Sequence, residues 1–187
     1  MVLYQQKFGL SIIGKLDSET ISTIMSSRCG ISDTGLTIHA TKHFAYFYGR
    51  PRWDCGSSMT LTYAFSSAWA SVIPVNFIEI DNYPLANIRI RFFKGNHGDG
   101  QLFDGVLGVL AHAFSPENGM FHLDKDETWA VDFEKVKSKA AVDLESMVTH
   151  EIGHILGLAH SSVKEAVMYP SLKPRNKKVN LKLDDVE

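Results

Sequence analysis

Three histidines and one glutamate near the end of the chain have the spacing of a metal-dependent hydrolytic site. The segment His150–His154, with the sequence HEIGH, places two imidazoles four residues apart, so on a helix both lie on one face and can bind the same ion. Gly157 lets the chain leave that helix sharply, and His160 can then return as a third ligand. Three neutral imidazoles suit Zn²⁺ and leave its fourth position open for water, as in catalytic sites.

An ordinary alternative is that these residues are core or surface histidines without a ligand. A bare H-E-x-x-H pattern arises often by chance, but the longer pattern with the glycine and the third histidine is expected in about one of ten thousand such chains. Met168 lies eight residues after His160 in the turn-prone segment Val167–Pro170, where a methionine can pack beneath zinc-binding histidines. We therefore predict a catalytic zinc site on this helix.

A second group of potential ligands lies upstream. It comprises three imidazoles and a carboxylate, from His97, Asp99, His112 and His122. Four ligands without a vacancy suit a closed structural zinc site, although the scattered spacing leaves open the alternative of exposed loop histidines. Cys29 offers a further zinc ligand as its thiolate; the alternatives are a disulfide with Cys55 or two free thiols.

Composition narrows the class of protein that carries these residues. The chain has 187 residues, of which 44% are hydrophobic and 21% charged, enough apolar material for one globular domain with a small appendage. No run approaches the ~20 apolar residues of a membrane-spanning helix. The formal net charge of -2 gives no electrostatic argument for nucleic acid or an anionic membrane as a partner. The N-terminus lacks the pattern of a targeting signal.

Periodicity indicates which elements position the ligands. Alternating apolar and polar residues predict strands at Leu61–Phe65, Val75–Ile80, Ile88–Phe92, Val109–Phe114 and Trp129–Phe133. Asp143 is the predicted N-cap of the helix that carries HEIGH and ends at Gly157, and Asp17 is the predicted N-cap of a shorter helix. The apolar side of the shorter helix is predicted at Ile21, Ile24 and Met25.

Nearly the whole chain, from Tyr4 to Glu187, resembles the matrixin (matrix metalloproteinase) family of the metzincin clan. The likeness rests on HEIGHILGLAH with its methionine turn, and on HGDG, FDG, LAHAF and HLDKDETW in that order upstream. The short loop Ala113–Phe121 and the segment Leu158–Pro170 look like the plant branch of the family. The resemblance implies an α+β fold, a twisted and mostly parallel five-stranded sheet with an active-site helix, preceded by a small helical pro-segment.

The resemblance also implies roles for individual residues. It implies a catalytic zinc bound by His150, His154 and His160, with Glu151 as the general base. It implies a structural zinc bound by His97, Asp99, His112 and His122. It implies a calcium ion bound by the carboxylates of Asp104, Asp124 and Glu127 and the backbone carbonyls of Gly105, Leu107 and Val109. Substrate would lie antiparallel to the strand at Val109–Phe114 and contact Leu110, Ala111, Tyr169 and Pro170.

The family pattern divides the chain into a partial pro-segment at 1–33, a linker or activation region at 34–59, and a catalytic domain at 60–187 that is cut off early in its last helix. In the pro-segment, Arg28-Cys29-Gly30 with Asp33 resembles the matrixin cysteine switch, in which Cys29 occupies the open zinc position. Ser27 and Ser32 stand where the family usually has prolines. We therefore expect a looser loop in the unbound state and weaker latency.

The catalytic domain departs from the family at one crossover connection. Between the strands predicted at Leu61–Phe65 and Val75–Ile80 only the nine residues Ser66–Pro74 remain, where the family has a long helix. A parallel crossover needs about a dozen residues or more, so we expect the helix to be missing and the first strand to pair differently or not at all. At the other end, Asp184 or Asp185 would match the family position that holds the activated N-terminus.

Two functions follow from these features. The first is a zinc-dependent endopeptidase, made as a latent precursor and inhibited by its own pro-segment, that cleaves extracellular proteins. The alternative is a catalytically inactive relative that keeps the metal sites and binds peptide or matrix. The intact Glu151 favours the enzyme, and the shortened crossover favours the alternative. The resemblance implies zinc and calcium as cofactors, a secreted monomer without a membrane span, and a protein or peptide substrate.

Overall fold

The structure, a computed structural model, describes residues 1–31, 39–40, 45–47, 49–50, 53, 59–62 and 67–186. Most of the linker expected at 34–59 lies outside the described residues, as do Ser32, Asp33 and Cys55. The helices are α1 (Val2–Lys7), α2 (Ser18–Ile24), α3 (Ser67–Ala70), α4 (Leu144–Ile155) and α5 (Leu183–Val186). The strands are β1 (Arg28–Cys29), β2 (His39–Ala40), β3 (Ala45–Tyr46), β4 (Met59–Thr62), β5 (Val75–Ile78), β6 (Arg89–Phe93), β7 (Val109–Ala113), β8 (Met120–Asp124), β9 (Trp129–Ala130) and β10 (Val142–Asp143). Within these ranges, no helix has the length and apolar character needed to cross a bilayer.

The main sheet has four strands in the order β1-β7-β8-β6. β7 and β8 are antiparallel and bring His112 opposite His122, whereas β6 runs parallel to β8 and β1 runs parallel to β7. β4 and β5 form a separate parallel pair. The α+β class and the mostly parallel pairing confirm the expected fold. The five strands β4 to β8 are divided between two sheets, however, and β1 from the N-terminal segment completes the larger one.

Two strand predictions were wrong in detail. No strand is predicted at β8 from the sequence, although Phe121 and Leu123 alternate there with His122 and Asp124. The sequence predicts a short strand at Trp129–Phe133, of which only the first two residues pair, with β10. Asp132 ends that strand, since its carbonyl and its carboxylate accept hydrogen bonds from amides of the following turn.

The crossover between β4 and β5 is present, which corrects the expectation of a strand left without its parallel partner. Over the described residues, Met59–Thr62 of β4 pair in parallel with Val75–Ile78 of β5. The short helix α3 forms within the connection and packs against α4. Its Trp69 is 1% exposed and donates a hydrogen bond from Nε1 to the carbonyl of Thr149 at 2.7 Å. A single helical turn therefore covers part of α4.

Helix α4 carries the HEIGH segment through the protein core. Asp143 caps it as predicted, because its carboxylate accepts hydrogen bonds from the amide and the hydroxyl of Ser146, at 2.8 and 2.5 Å. Ten of its twelve residues are buried, so the helix is enclosed on almost all sides. Gly153 allows the following loop to approach closely, since a Cβ at this position would overlap the sulfur of the buried Met168.

Residues 1–31 form a small unit in which α1 and α2 are joined by a polar contact. The fully buried Gln5 donates hydrogen bonds to the carbonyl of Lys15 at 2.8 Å and to the hydroxyl of Thr20 at 3.1 Å. Asp17 caps α2 as predicted, accepting from the amide of Thr20 at 2.7 Å. The predicted apolar side is wrong, because α2 packs through Thr20 and leaves its apolar residues exposed. These are Ile21, Ile24 and Met25.

Candidate zinc sites and active centre

The imidazoles of α4 and of the loop that follows it converge on one point. Nε2 of His154 lies 3.0 Å from Nε2 of His150 and 3.2 Å from Nε2 of His160. Nδ1 of His150 lies 2.7 Å from the carbonyl oxygen of Val167, and Nδ1 of His154 lies 2.8 Å from that of Leu158. All three rings are buried.

These contacts define the proton positions and test whether the site fits a metal ion. Carbonyl oxygens only accept, so Nδ1 of His150 and of His154 carries the proton and each Nε2 presents a lone pair. Burial, together with the neighbouring His160 and His150, lowers the pKa of His154 well below its usual value, which favours the neutral ring. Buried lone pairs this close require a cation between them, and three imidazole nitrogens suit Zn²⁺.

Strand β1 brings a thiol to the same point. Sγ of Cys29 lies 3.6 Å from Nε2 of His154, and the thiol and the three imidazoles offer ligand atoms that all lie within 4.8 Å of one another. The buried Cys29 side chain is a thiol rather than half of a disulfide, which decides against the disulfide with Cys55. Three nitrogens and one sulfur form a complete tetrahedral set for zinc.

The same strand occupies the edge of β7, at which the sequence predicts substrate. The amide of Arg28 donates to the carbonyl of Gly108 at 3.0 Å, and the amide of Gly30 donates to that of Ala111 at 2.7 Å. On its other side, the amide of Cys29 donates to the carbonyl of Pro170 at 2.9 Å. The segment therefore lies between two of the predicted substrate contacts, and it runs parallel to β7, opposite to the direction expected for substrate. The other two residues predicted to contact substrate, Leu110 and Tyr169, are buried in the same region.

Glu151 is enclosed beside the histidines. Its side chain is fully buried, and neither carboxylate oxygen accepts a hydrogen bond of standard geometry from the described residues, although the nearby Cys29 side chain acts to lower its pKa. Burial raises the pKa of Glu151 to about 8. A buried carboxyl group without a partner is unfavourable. The position of this carboxyl group beside the histidines therefore fits a site in which a water molecule would complete the coordination of a metal ion once Cys29 is displaced.

The turn beneath the histidines is held by the last helix. Oδ1 of Asp185 accepts a hydrogen bond from the amide of Met168 at 2.9 Å, and Oδ2 accepts from the amides of Val167 at 3.0 Å and Lys182 at 2.7 Å. Because the carbonyl of Val167 orients His150, Asp185 supports the site without contacting a ligand. Sequence reasoning connects this aspartate only with an activated N-terminus and misses the bonds to the turn. The neighbouring Asp184 instead contacts the hydroxyl of Ser161.

The second predicted ligand group also converges. One carboxylate oxygen of Asp99 lies 2.8 Å from a ring nitrogen of each of three histidines, His97, His112 and His122. Burial opposes ionisation of Asp99, but hydrogen bonds from Gln101 and from the imidazoles hold its pKa far below the usual value. Burial lowers the pKa of His112 and of His122, which favours neutral rings. Three neutral imidazoles around one carboxylate oxygen fit a closed structural zinc site.

The predicted calcium ligands are less closely grouped. In the described ranges, the two histidine clusters are the groups in which three or more potential ligands converge, and the carboxylates of Asp104, Asp124 and Glu127 form no such group. Oδ2 of Asp124 and Oε2 of Glu127 are buried and have no hydrogen-bond partner among the described residues. Burial and the neighbouring Asp124 raise the pKa of Glu127. Of the predicted carbonyl ligands, Gly105 and Leu107 lie in the adjoining loop and Val109 is the first residue of β7.

An α+β fold with two histidine clusters of this kind is characteristic of zinc metallopeptidase domains. The family model for the matrixins matches residues 56–187, and the chain therefore belongs to the matrixin family. Metalloendoproteinase 4-MMP of Arabidopsis thaliana is 56% identical over 211 residues, which cover 100% of this chain and 62% of that protein. Metalloendoproteinase 1-MMP of the same plant is 52% identical, over 98% of this chain and 57% of the relative.

Matrix metalloproteinase-20 of Homo sapiens is 36% identical, over 92% of this chain and 37% of that protein. The higher identity to the two plant proteins confirms the resemblance to the plant branch. The chain spans about six tenths of the length of these two plant relatives. Because the comparison with 4-MMP extends over 211 positions, that protein has residues within the matched region that this chain of 187 lacks.

Proposed function

We propose that this chain is a zinc-dependent endopeptidase, produced in a latent form, that hydrolyses peptide bonds in extracellular proteins. The observation that carries the proposal is the convergence of three imidazole Nε2 atoms beside the fully buried carboxylate of Glu151. The catalytic zinc would be bound by His150, His154 and His160. The extracellular setting is proposed from membership of the matrixin family.

The proposed chemistry divides between the metal ion and the protein. Zinc, when bound, polarises the scissile carbonyl and lowers the pKa of water. Glu151 accepts the proton of the attacking water and passes it to the nitrogen of the departing amine. The carbonyls of Val167 and Leu158 fix the imidazole protons and keep the Nε2 lone pairs available.

Substrate binding is proposed along β7. A peptide that pairs with the backbone of Leu110 and Ala111 would add a strand to the edge of the sheet. The side chain after the scissile bond would lie between α4 and the segment Tyr169-Pro170, where Met147 and His150 border a small cavity. Substrate and β1 cannot bind together, because β1 is hydrogen-bonded to the same edge of β7.

Latency is proposed to come from Cys29. Its sulfur is 3.6 Å from Nε2 of His154, so the thiolate would take the fourth position on zinc and exclude water. Residues 1–33 would then be a pro-segment whose strand β1 blocks the substrate edge. Removing this segment would free both the metal position and β7.

Two further cations are proposed to stabilise the domain. The structural zinc would be bound by His97, Asp99, His112 and His122, and its support is their convergence. The calcium ion would be bound by the carboxylates of Asp104, Asp124 and Glu127 and the carbonyls of Gly105, Leu107 and Val109. Its support is the pair of buried carboxylate oxygens without hydrogen-bond partners in the described ranges. Such oxygens are the ligands that a hard cation such as Ca²⁺ prefers.

Turnover of a quenched peptide tests the proposal. The zinc-loaded chain with Cys29→Ser is expected to cleave the peptide faster than wild type, and 1,10-phenanthroline should abolish the cleavage. Cys55→Ser is the matched control, because the chain has two cysteines. If the folded, zinc-loaded Cys29→Ser protein cleaves nothing even after residues 1–33 are removed, the endopeptidase proposal is wrong and the inactive alternative is favoured. If wild type and Cys29→Ser cleave equally well, the role of Cys29 in latency is wrong.

A further inference from the structure

The residue two positions before Cys29 is bound through its side chain as well as its backbone. Ser27 is 3% exposed, and its hydroxyl donates a hydrogen bond to the carbonyl of Leu172 at 2.5 Å. In return, the amide of Leu172 donates to the carbonyl of Ser27 at 3.2 Å. Ser27 therefore makes a reciprocal pair of bonds with one residue of the segment Pro170–Leu172, which borders the proposed substrate site.

A second pair of serines strengthens the same contact. The hydroxyls of Ser26 and Ser171 lie 2.9 Å apart, and that of Ser171 also donates to the carbonyl of Ser27 at 3.0 Å. The hydroxyl of Ser26 can alternatively donate to the carbonyl of Thr23 at 2.7 Å. The two hydroxyl protons can make two of these three hydrogen bonds at a time. The two serines therefore form one network between the Cys29 segment and the segment Pro170–Leu172.

These contacts act on the thiol because they lie directly beside it in the chain. The backbone of Cys29 is bonded on one side to Pro170, and that of Gly30 is bonded on the other side to β7. Ser27 adds its contacts two residues before Cys29, just after the chain leaves α2. A proline at position 27, as in the family pattern, would restrict the free loop but could not donate a hydrogen bond.

We propose that Ser26 and Ser27 are positioning residues in the latent state. Their hydroxyl groups bind the Cys29 segment to Pro170–Leu172, and these bonds offset the loss of the family prolines. The proposal rests on the proposed latency and goes beyond it. It predicts that Cys29 is held firmly at the zinc site, whereas the missing prolines led us to expect a looser loop and weaker latency. Ser26 and Ser27 touch neither the metal ligands nor Glu151 by the contacts described, so their effect passes through the position of Cys29.

The test measures how fast Cys29 reacts with iodoacetamide in the zinc-loaded full chain. Peptide mapping by mass spectrometry separates Cys29 from Cys55. Ser27→Ala is expected to raise the labelling rate of Cys29 about fivefold to tenfold, the effect of losing one buried hydrogen bond on the closed state. Thr23→Ala is the matched control, because its hydroxyl bonds only within α2 by the contact described, and it should leave the rate unchanged.

A double-mutant cycle on the two hydroxyls that lie 2.9 Å apart supplies a second measurement. Ser26→Ala and Ser171→Ala are each expected to raise the labelling rate, and the double variant should fall short of the product of the two effects. If Cys29 of wild type is protected but Ser27→Ala and the cycle show no effect, the positioning role is wrong while latency stands. If Cys29 of wild type reacts as fast as in the unfolded chain, the proposed latency is wrong as well.

Discussion

Replacing Asp185 with alanine is expected to loosen the catalytic histidines without touching them. The buried carboxylate accepts three backbone hydrogen bonds, at 2.7, 2.9 and 3.0 Å, two of them from the turn that contains Met168. A hydrogen bond to a charged group contributes about 1.5–3 kcal/mol, and such bonds to one group are not additive. We expect the free energy of unfolding to fall by about 3–5 kcal/mol. The melting temperature of a domain of this size should fall by roughly 6–20 °C.

The assay is thermal unfolding followed by circular dichroism, together with the zinc content after dialysis. Asp185→Ala should lose part of its zinc, because the carbonyl of Val167 that orients His150 belongs to the turn that Asp185 holds. Asp184→Ala is the matched control, since that neighbouring carboxylate contacts the Ser161 hydroxyl instead. Equal melting temperatures and equal zinc contents in the two variants would refute the proposed support of the site by the last helix.

Three further outcomes are expected. Trp69→Phe removes the 2.7 Å hydrogen bond to Thr149 and should lower the free energy of unfolding by about 1–2 kcal/mol in thermal melts; an unchanged melting temperature would show that α3 does not brace α4. Asp99→Ala should reduce bound zinc from about two equivalents per chain to about one by elemental analysis, and two retained equivalents would contradict the second site. Millimolar calcium should raise the melting temperature of wild type but not of Asp124→Asn, and equal rises would place calcium elsewhere.

The features that the sequence could predict are contained within short segments. The cap at Asp143 and the convergence of His150 with His154 follow from positions on one helix, and periodicity alone carries them. The β strands that alternate cleanly were also predicted, with boundaries shifted by a few residues. The parallel pairing of β4 with β5 contradicts the sequence-based expectation, which took the nine residues Ser66–Pro74 to be too few for a crossover.

The features that escaped prediction depend on contacts between distant segments. Asp185 and Trp69 hold the active-site helix and its turn through backbone groups, and a backbone acceptor or donor leaves no mark in residue spacing. Ser27 was interpreted through the free loop alone, whereas its bond to Leu172 exists only in the folded chain. The apolar side of α2 was wrong for a related reason, since a helix of seven residues packs where its neighbour allows.

The central claim is that Glu151 acts as the general base of a zinc endopeptidase, and Glu151→Gln tests it most directly. In the zinc-loaded chain with Cys29→Ser, this substitution should lower kcat/KM for a quenched peptide by about 10²–10⁴-fold while the zinc content stays the same. Glu145→Gln, on the exposed side of the same helix, should leave turnover nearly unchanged. Undiminished turnover in Glu151→Gln at full zinc content would contradict the claim.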